Sequence, residues 1–299
     1  MSFDGFHTAA EGKEENGKIT LYNLKHFDIQ QIANSGQCFR ITPHPDKPNT
    51  FRVIAHGRYL EVYQEKLMGS SEVEMSCSWE EYDKIWKKYF DLDSNYQYYI
   101  DHIDPDDAFL KAAVAAGDGI RILRQDIWET IVSFMISQNN NIPRIKKTIE
   151  GLCEFYGKGH MEDDGYCWHE FPTPEDMKEI DEEAMQALGF GYRDKYIKKL
   201  VENVLSGEIN LDILTDETLE DSDIENYLKS IYGIGAKVAS CIMLFGLHRI
   251  DSLPKDTWIN KIIREEYNGK FPVDMYAGFV GVIQQYMFDY AISRDKEEV

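Results

Sequence analysis

Residues 231–239 read Ile-Tyr-Gly-Ile-Gly-Ala-Lys-Val-Ala: an apolar helix end, two glycines bracketing one apolar residue, then a fresh helix with Lys237 in its first turn. Gly233 and Gly235 let the backbone pass through conformations that other residues avoid, and the first N–H groups of the following helix are unpaired and aimed outward. Such a helix-hairpin-helix can hold a phosphate, although an ordinary interhelical turn carries the same two-glycine pattern. Lys237 separates the two readings, because a cation at a helix start opposes the macrodipole and asks for a role other than capping. Cys241 lies four residues on, on the same helical face. Nineteen residues after Lys237, the segment Leu-Pro-Lys-Asp-Thr-Trp puts Asp256 at a helix start, where an N-cap is its default role. Capping does not prevent an aspartate from also stabilising positive charge.

These residues need elements to hold them. From Ile19 to about Tyr63 short apolar runs alternate with turn signals, which predicts antiparallel strands, with His56-Gly57-Arg58 as a hairpin tip and the segment His-Pro-Asp-Lys-Pro-Asn at 44–49 as a loop. Residues 1–18 are polar and rich in Gly and Glu, which predicts a frayed tail. After Trp79 the spacing becomes helical, and helices are expected at 121–137, 143–156, 174–188, 193–205, 223–232, 236–246, 257–267 and 273–293. The expected fold is α+β: an N-terminal antiparallel β-sheet domain over 1–118, packed on an all-α domain over 119–299 with the site in the cleft between them.

Composition narrows the class. A chain of 299 residues with 43% hydrophobic and 13% aromatic content can bury a core and is long enough for about two domains. Its five cysteines are odd in number and never spaced Cys-x-x-Cys, against a disulfide framework or a cysteine zinc site, and the histidines lack zinc-like spacing. No membrane span, targeting signal or secretory leader is visible, so an intracellular location is expected, cytoplasmic or nucleoid in a bacterium. The formal charge of −21 is the opposite of the usual nucleic-acid footprint, yet three windows (121–150, 192–199 and 229–263) together carry +8, leaving −29 on the rest. A basic face on an acidic body is therefore permitted.

The glycine hairpin, its lysine and the later aspartate resemble the helix-hairpin-helix superfamily of base-excision DNA glycosylases. Five further segments resemble its 8-oxoguanine DNA glycosylase branch, in the same order: SGQCFR at 35–40, FMISQNNNIPRI at 134–145, LGFGYRDKY at 188–196, KVASCI at 237–242 and IQQYMF at 283–288. The resemblance implies an enzyme that flips out 8-oxoguanine opposite cytosine in double-stranded DNA, excises it through a lysine Schiff base and nicks the abasic strand by β-elimination. Lys237 would be the nucleophile and must react as the neutral amine, which burial and the positive helix end would favour over the ammonium of an ordinary lysine. Asp256 would stay ionised, helped by helix-start N–H groups, to stabilise the developing sugar cation and assist proton transfer. The carbonyl of Gly36 would read the hydrogen on the lesion's N7. Phe288 and Gln284, four apart and so on one helix face, would stack on the base and bind its pairing edge, with Cys241 on the other side. Arg144 and Arg193 would read the estranged cytosine, Asn139 would fill the vacated space and Tyr192 would wedge the duplex.

Taken singly, Phe288 and Cys241 suit a core, and Gly36 or Gly-Tyr-Arg a turn. The chain also departs from the pattern: Trp258 stands where a histidine is common, putting a phosphate contact in doubt unless Lys255 or Asn260 compensates, and the C-terminal cysteine cluster of iron–sulfur relatives is absent. No metal or cofactor is implied, and a monomer is expected. Two alternatives remain: an alkylpurine-type glycosylase, against which Lys237 speaks, and a non-catalytic DNA-binding module.

Overall fold

The computed structural model describes residues 11–216 and 218–297. Six strands form one antiparallel sheet in the order β1-β2-β6-β5-β4-β3: β1 Gly12–Glu15, β2 Lys18–Leu24, β3 Ile41–Pro43, β4 Thr50–Ala55, β5 Arg58–Leu67 and β6 Ser70–Met75. Period-two alternation sets the register, so Ile19, Leu21, Val53, Leu60, Val62, Val73 and Met75 share the buried face. Two-residue turns at Asn16-Gly17 and His56-Gly57 have positive φ at both positions, the geometry that matches strand twist in a tight hairpin. The expected tail at 1–18 is therefore corrected: residues 12–18 build an edge hairpin, and residues 1–10 lie outside the described residues. The tip near residue 56 is His56-Gly57, with Arg58 already paired to Ala55.

Helix α1 (Ile29–Asn34) buries Ile29, Ile32 and Ala33 in the sheet core, and α2 (Trp79–Glu81), a π turn at Tyr82–Trp86 and α3 (Lys87–Tyr89) add Trp86 and Tyr89 to it, with Phe90 just beyond. The helical half comprises α4 (Tyr96–Asp101), α5 (Ala108–Gly117), α6 (Ile127–Ser137), α7 (Ile142–Tyr156), α8 (Glu182–Ala187), α9 (Asp194–Leu205), α10 (Asp221–Ser230), α11 (Ala236–Phe245), α12 (Thr257–Glu266) and α13 (Val280–Glu297). No helix among the described residues is long and apolar enough to cross a membrane.

Four sequence expectations change here. Residues 121–126 are not helical: the Leu123 N–H bonds to the Gln37 Oε1 at 2.8 Å and Gln37 Nε2 donates to the Arg121 carbonyl at 2.8 Å, so a side chain takes up backbone groups that a helix would pair internally. Helix 174–188 shrinks to α8, which begins where Asp181 caps the Ala184 N–H. The helix expected from 273 starts at Val280, after a 3₁₀ turn and Gly278 at φ +92°. The helical half also holds a two-stranded hairpin, β7 (Gly159–Met161) with β8 (Cys167–His169), so it is not wholly α.

The cores interleave along the chain. Phe39, Tyr96 and Leu110 belong to the helical cluster and Leu123 to the sheet cluster, while α13 packs on α5 and α12. Arg40 stitches the seam, donating to the Glu150 Oε1 at 2.9 Å and the His169 carbonyl at 2.6 Å.

Candidate active site and nucleic-acid interface

The glycine hairpin joins α10 to α11. Gly233 has φ +93°, and a methyl group on it would lie 2.5 Å from the Tyr196 ring, so both conformation and packing require glycine. Gly235 differs: it is the N-cap of α11 at φ −94°, and a methyl group there would meet nothing within 4 Å. Its small size leaves open space over a helix start that no side chain caps.

Lys237 is the second residue of α11, in its first turn, exposed, with Nζ 5.7 Å from the centroid of Phe134. The desolvation expected for it is not supplied by the protein alone. One turn on, Cys241 is 2% exposed; burial pushes its thiol up to about 11 against the pull of the Lys237 charge. Asp256 caps α12, its Oδ1 accepting from the Ile259 N–H at 2.8 Å. Burial raises the Asp256 carboxyl above the ordinary aspartate range, outweighing the Ile259 and Trp258 N–H groups and the Lys237 charge, which lower it. The cap N–H groups favour the carboxylate in the expected sense, against the burial that opposes it. Lys237, Cys241 and Asp256 form one electrostatic unit.

Gly36 and Phe288 meet from opposite ends of the chain. Gly36 has φ +76°, and a methyl group on it would lie 3.2 Å from Phe288 Cε1. Gln284, one turn before Phe288 on α13, is 3% exposed, and its Oε1 accepts from Gln285 Nε2 at 3.1 Å. The Gly36 turn is fixed by Gln37, fully buried, whose side chain pairs with residues 121 and 123 while its carbonyl accepts from Gln125. Sequence reasoning gave Gln37 no role; an amide between apolar neighbours signals a buried polar group that must find partners.

Asn139, Arg144, Tyr192 and Arg193 converge beside the hairpin. Asn139 is exposed at φ +47°, and Arg144 is exposed with Nη2 3.3 Å from the Gly189 carbonyl. Tyr192 is 51% exposed. Arg193 is not displayed: it is 3% exposed and turns inward, donating to the carbonyls of Gln138, Asn139 and Phe190. Reading a base with it requires those bonds to be exchanged. The link between this cluster and the hairpin is Gln138, another residue without a sequence-assigned role, whose Nε2 donates to the Gly233 carbonyl at 3.0 Å while its carbonyl receives Arg193.

Trp258 stacks against Lys261, 5.4 Å from its Nζ, and lines a cavity of about 80 Å³ with Phe109 and Ile262. Asn260 donates to the Lys255 carbonyl at 3.3 Å, whereas the Lys255 side chain is exposed. Among the described residues, His44, Glu61 and Asp164 bring ligand-type atoms within 4.8 Å of one another, but Lys47 already pairs with Glu61 at 2.7 Å.

Two family models cover most of the chain: the 8-oxoguanine DNA glycosylase N-terminal domain over residues 19–131 and the HhH-GPD superfamily base excision DNA repair protein over 132–273. The structure of MBOgg1 in complex with a low-affinity DNA ligand superposes with a TM-score of 0.87 at 34% identity, covering 96% of this chain and 99% of that one. The Clostridium acetobutylicum 8-oxoguanine glycosylase/lyase, in complex with double-stranded DNA containing cytosine opposite 8-oxoG, gives 0.85 at 32% identity, covering 95% and 98%. An N-glycosylase/DNA lyase of Saccharomyces cerevisiae is 37% identical over 60% of this chain, which spans half of that relative's length.

Proposed function

The chain belongs to the 8-oxoguanine DNA glycosylase family of the HhH-GPD superfamily, and from that membership we propose that it excises 8-oxoguanine opposite cytosine from double-stranded DNA and nicks the resulting abasic strand. The observation that carries this reading is Lys237 in the first turn after the glycine hairpin, with Cys241 one turn on along its own helix and Asp256 capping the next helix. The hairpin grips phosphate beside the lesion, and the extruded nucleotide enters between the sheet portion, taken as 1–118, and the helical portion, 119–299.

The Lys237 amine attacks the anomeric carbon of the sugar as the bond to the base nitrogen breaks. Ionised Asp256 stabilises the positive charge that builds on the sugar. The base departs with a proton, the sugar ring opens to a lysine imine, and loss of a proton from the adjacent carbon expels the 3′ phosphate. Excluding water around Lys237 requires the DNA itself, since the side chain is exposed without it. Gly36, Phe288, Gln284 and Cys241 form the base pocket; Asn139, Arg144, Tyr192 and Arg193 hold the gap and the estranged cytosine. The protein acts as a monomer, with no metal or cofactor in these steps.

Borohydride trapping on a duplex with one 8-oxoguanine opposite cytosine tests this. A covalent adduct is expected with the parent chain and lost with Lys237→Gln or an undamaged duplex. Lesion-specific base release without an adduct would instead mean a monofunctional glycosylase, and no release would leave a DNA-binding module. On a body of charge −21, affinity should fall as salt rises with the shallow slope of few phosphate contacts.

A further inference from the structure

Tyr232 immediately precedes Gly233 and is 58% exposed, beside a hairpin read here as a phosphate site. It is not isolated. Its ring meets Tyr196 edge to face at 5.0 Å, and Tyr196 meets Tyr192 in the same manner at 6.0 Å. Three rings thus run from the exposed wedge residue to the glycine hairpin. Gly233 belongs to the same arrangement, because only a glycine there lets the hairpin close on the Tyr196 ring. Two of the three tyrosines leave about half of a large amphipathic ring in water. An aromatic body with a hydroxyl tip suits a DNA backbone, the ring lying on a deoxyribose and the hydroxyl donating to a phosphate oxygen.

We propose that Tyr232 is a further DNA-contacting residue and that Tyr196 is the positioning residue joining it to Tyr192, the three forming one aromatic ridge along the duplex. The ridge connects the contact at the opened base stack to the grip on the phosphate. This rests on the DNA-repair reading above and extends its interface to a residue that reading did not use. Tyr232 touches neither Lys237 nor the base pocket in this scheme, so its contribution belongs to binding.

The test is the affinity of the full chain for a duplex carrying an uncleavable abasic-site analogue opposite cytosine, measured for the parent, Tyr232→Ala and Tyr232→Phe. Tyr232→Ala should weaken binding about five- to ten-fold, the scale of one lost aromatic contact. Tyr232→Phe should recover most of that. On an 8-oxoguanine duplex the loss should appear in KM more than in kcat. Shortening the duplex from one end, and not the other, should erase the difference between parent and Tyr232→Ala. Combining Tyr192→Ala with Tyr232→Ala should give non-additive losses that become additive when Tyr196 is replaced by leucine. A Tyr232→Ala protein binding the long duplex within two-fold of the parent would overturn the contact; additive losses with Tyr196 present would overturn the coupling. If the parent itself neither binds nor excises, the repair reading fails and the ridge with it, which the parent measurement alone reveals.

Discussion

At Asp256 two local effects oppose each other. The cap N–H groups and the Lys237 charge favour the carboxylate, burial favours the acid, and burial prevails. Because the chemistry needs the ionised form, base release under single turnover should fall off on the acid side with a midpoint above the ordinary aspartate value of about 3.9. Asp256→Asn should remove that limb and lower the rate by about a hundred-fold or more. The sign for stability runs the other way: a raised folded-state value favours the neutral acid, a contribution present at low pH and lost as pH climbs through the folded value. Asp256→Asn, which keeps a capping oxygen, should therefore melt no lower than the parent at pH 7, so that activity and stability separate. At this scale much of the site was legible. Lys237 and Cys241 share a face by spacing, and Asp256 caps by position. The encounter of Gly36 with Phe288 was visible through family resemblance alone, since no local pattern relates the two ends of a chain. The inward turn of Arg193 and the bridging amides of Gln37 and Gln138 escaped because hydrogen-bond partners distant in sequence leave no periodic trace.

Among the elements, the two hairpin glycines make separable predictions. Gly233 carries positive φ and presses on Tyr196, so Gly233→Ala should cost about 2 kcal/mol or more in denaturant unfolding. Gly235→Ala faces open space at an ordinary φ and should change stability by less than about 1 kcal/mol, yet weaken binding to a damaged duplex by placing a methyl group where a phosphate approaches. Comparable destabilisation by both substitutions would mean that the hairpin is only a turn. Helices with caps and a clean apolar stripe, such as α7 with Asn141 before Pro143, were legible to within a residue or two. The edge hairpin at 12–18 was not, although Asn16-Gly17 is a strong turn signal, because its flanking residues are charged and exposed and show no alternation. The non-helical run at 121–126 misled for another reason: Ile120, Ile122 and Leu123 are all buried, and continuous burial erases the periodicity by which a helix is recognised.

For the whole molecule, the question is what keeps the sheet side registered against the helical side, since the proposed base pocket takes Gly36 from one and Phe288 from the other. The seam is polar and buried. Arg121, 4% exposed, donates to the carbonyls of His26 at 2.7 Å and Asp91 at 2.7 Å and lies 4.4 Å from the Tyr96 ring, tying the end of β2, the turn after α3 and the segment leading into α6. Burial lowers its guanidinium below the usual arginine value. Composition could not reveal this, because one buried cation is lost within a charge of −21. Arg121→Met conserves much of the volume but removes the guanidinium donor to the His26 carbonyl and one of the two donors to the Asp91 carbonyl, so it should cost about 3 kcal/mol in thermal or denaturant unfolding. Arg124→Met, which gives up a part-exposed pair with Asp91, should cost markedly less. If the seam also fixes the pocket, the Arg121→Met protein should lose lesion excision at temperatures where far-ultraviolet circular dichroism still reports a folded chain. Excision that persists up to the melting transition would mean that Arg121 supports the fold without setting the pocket.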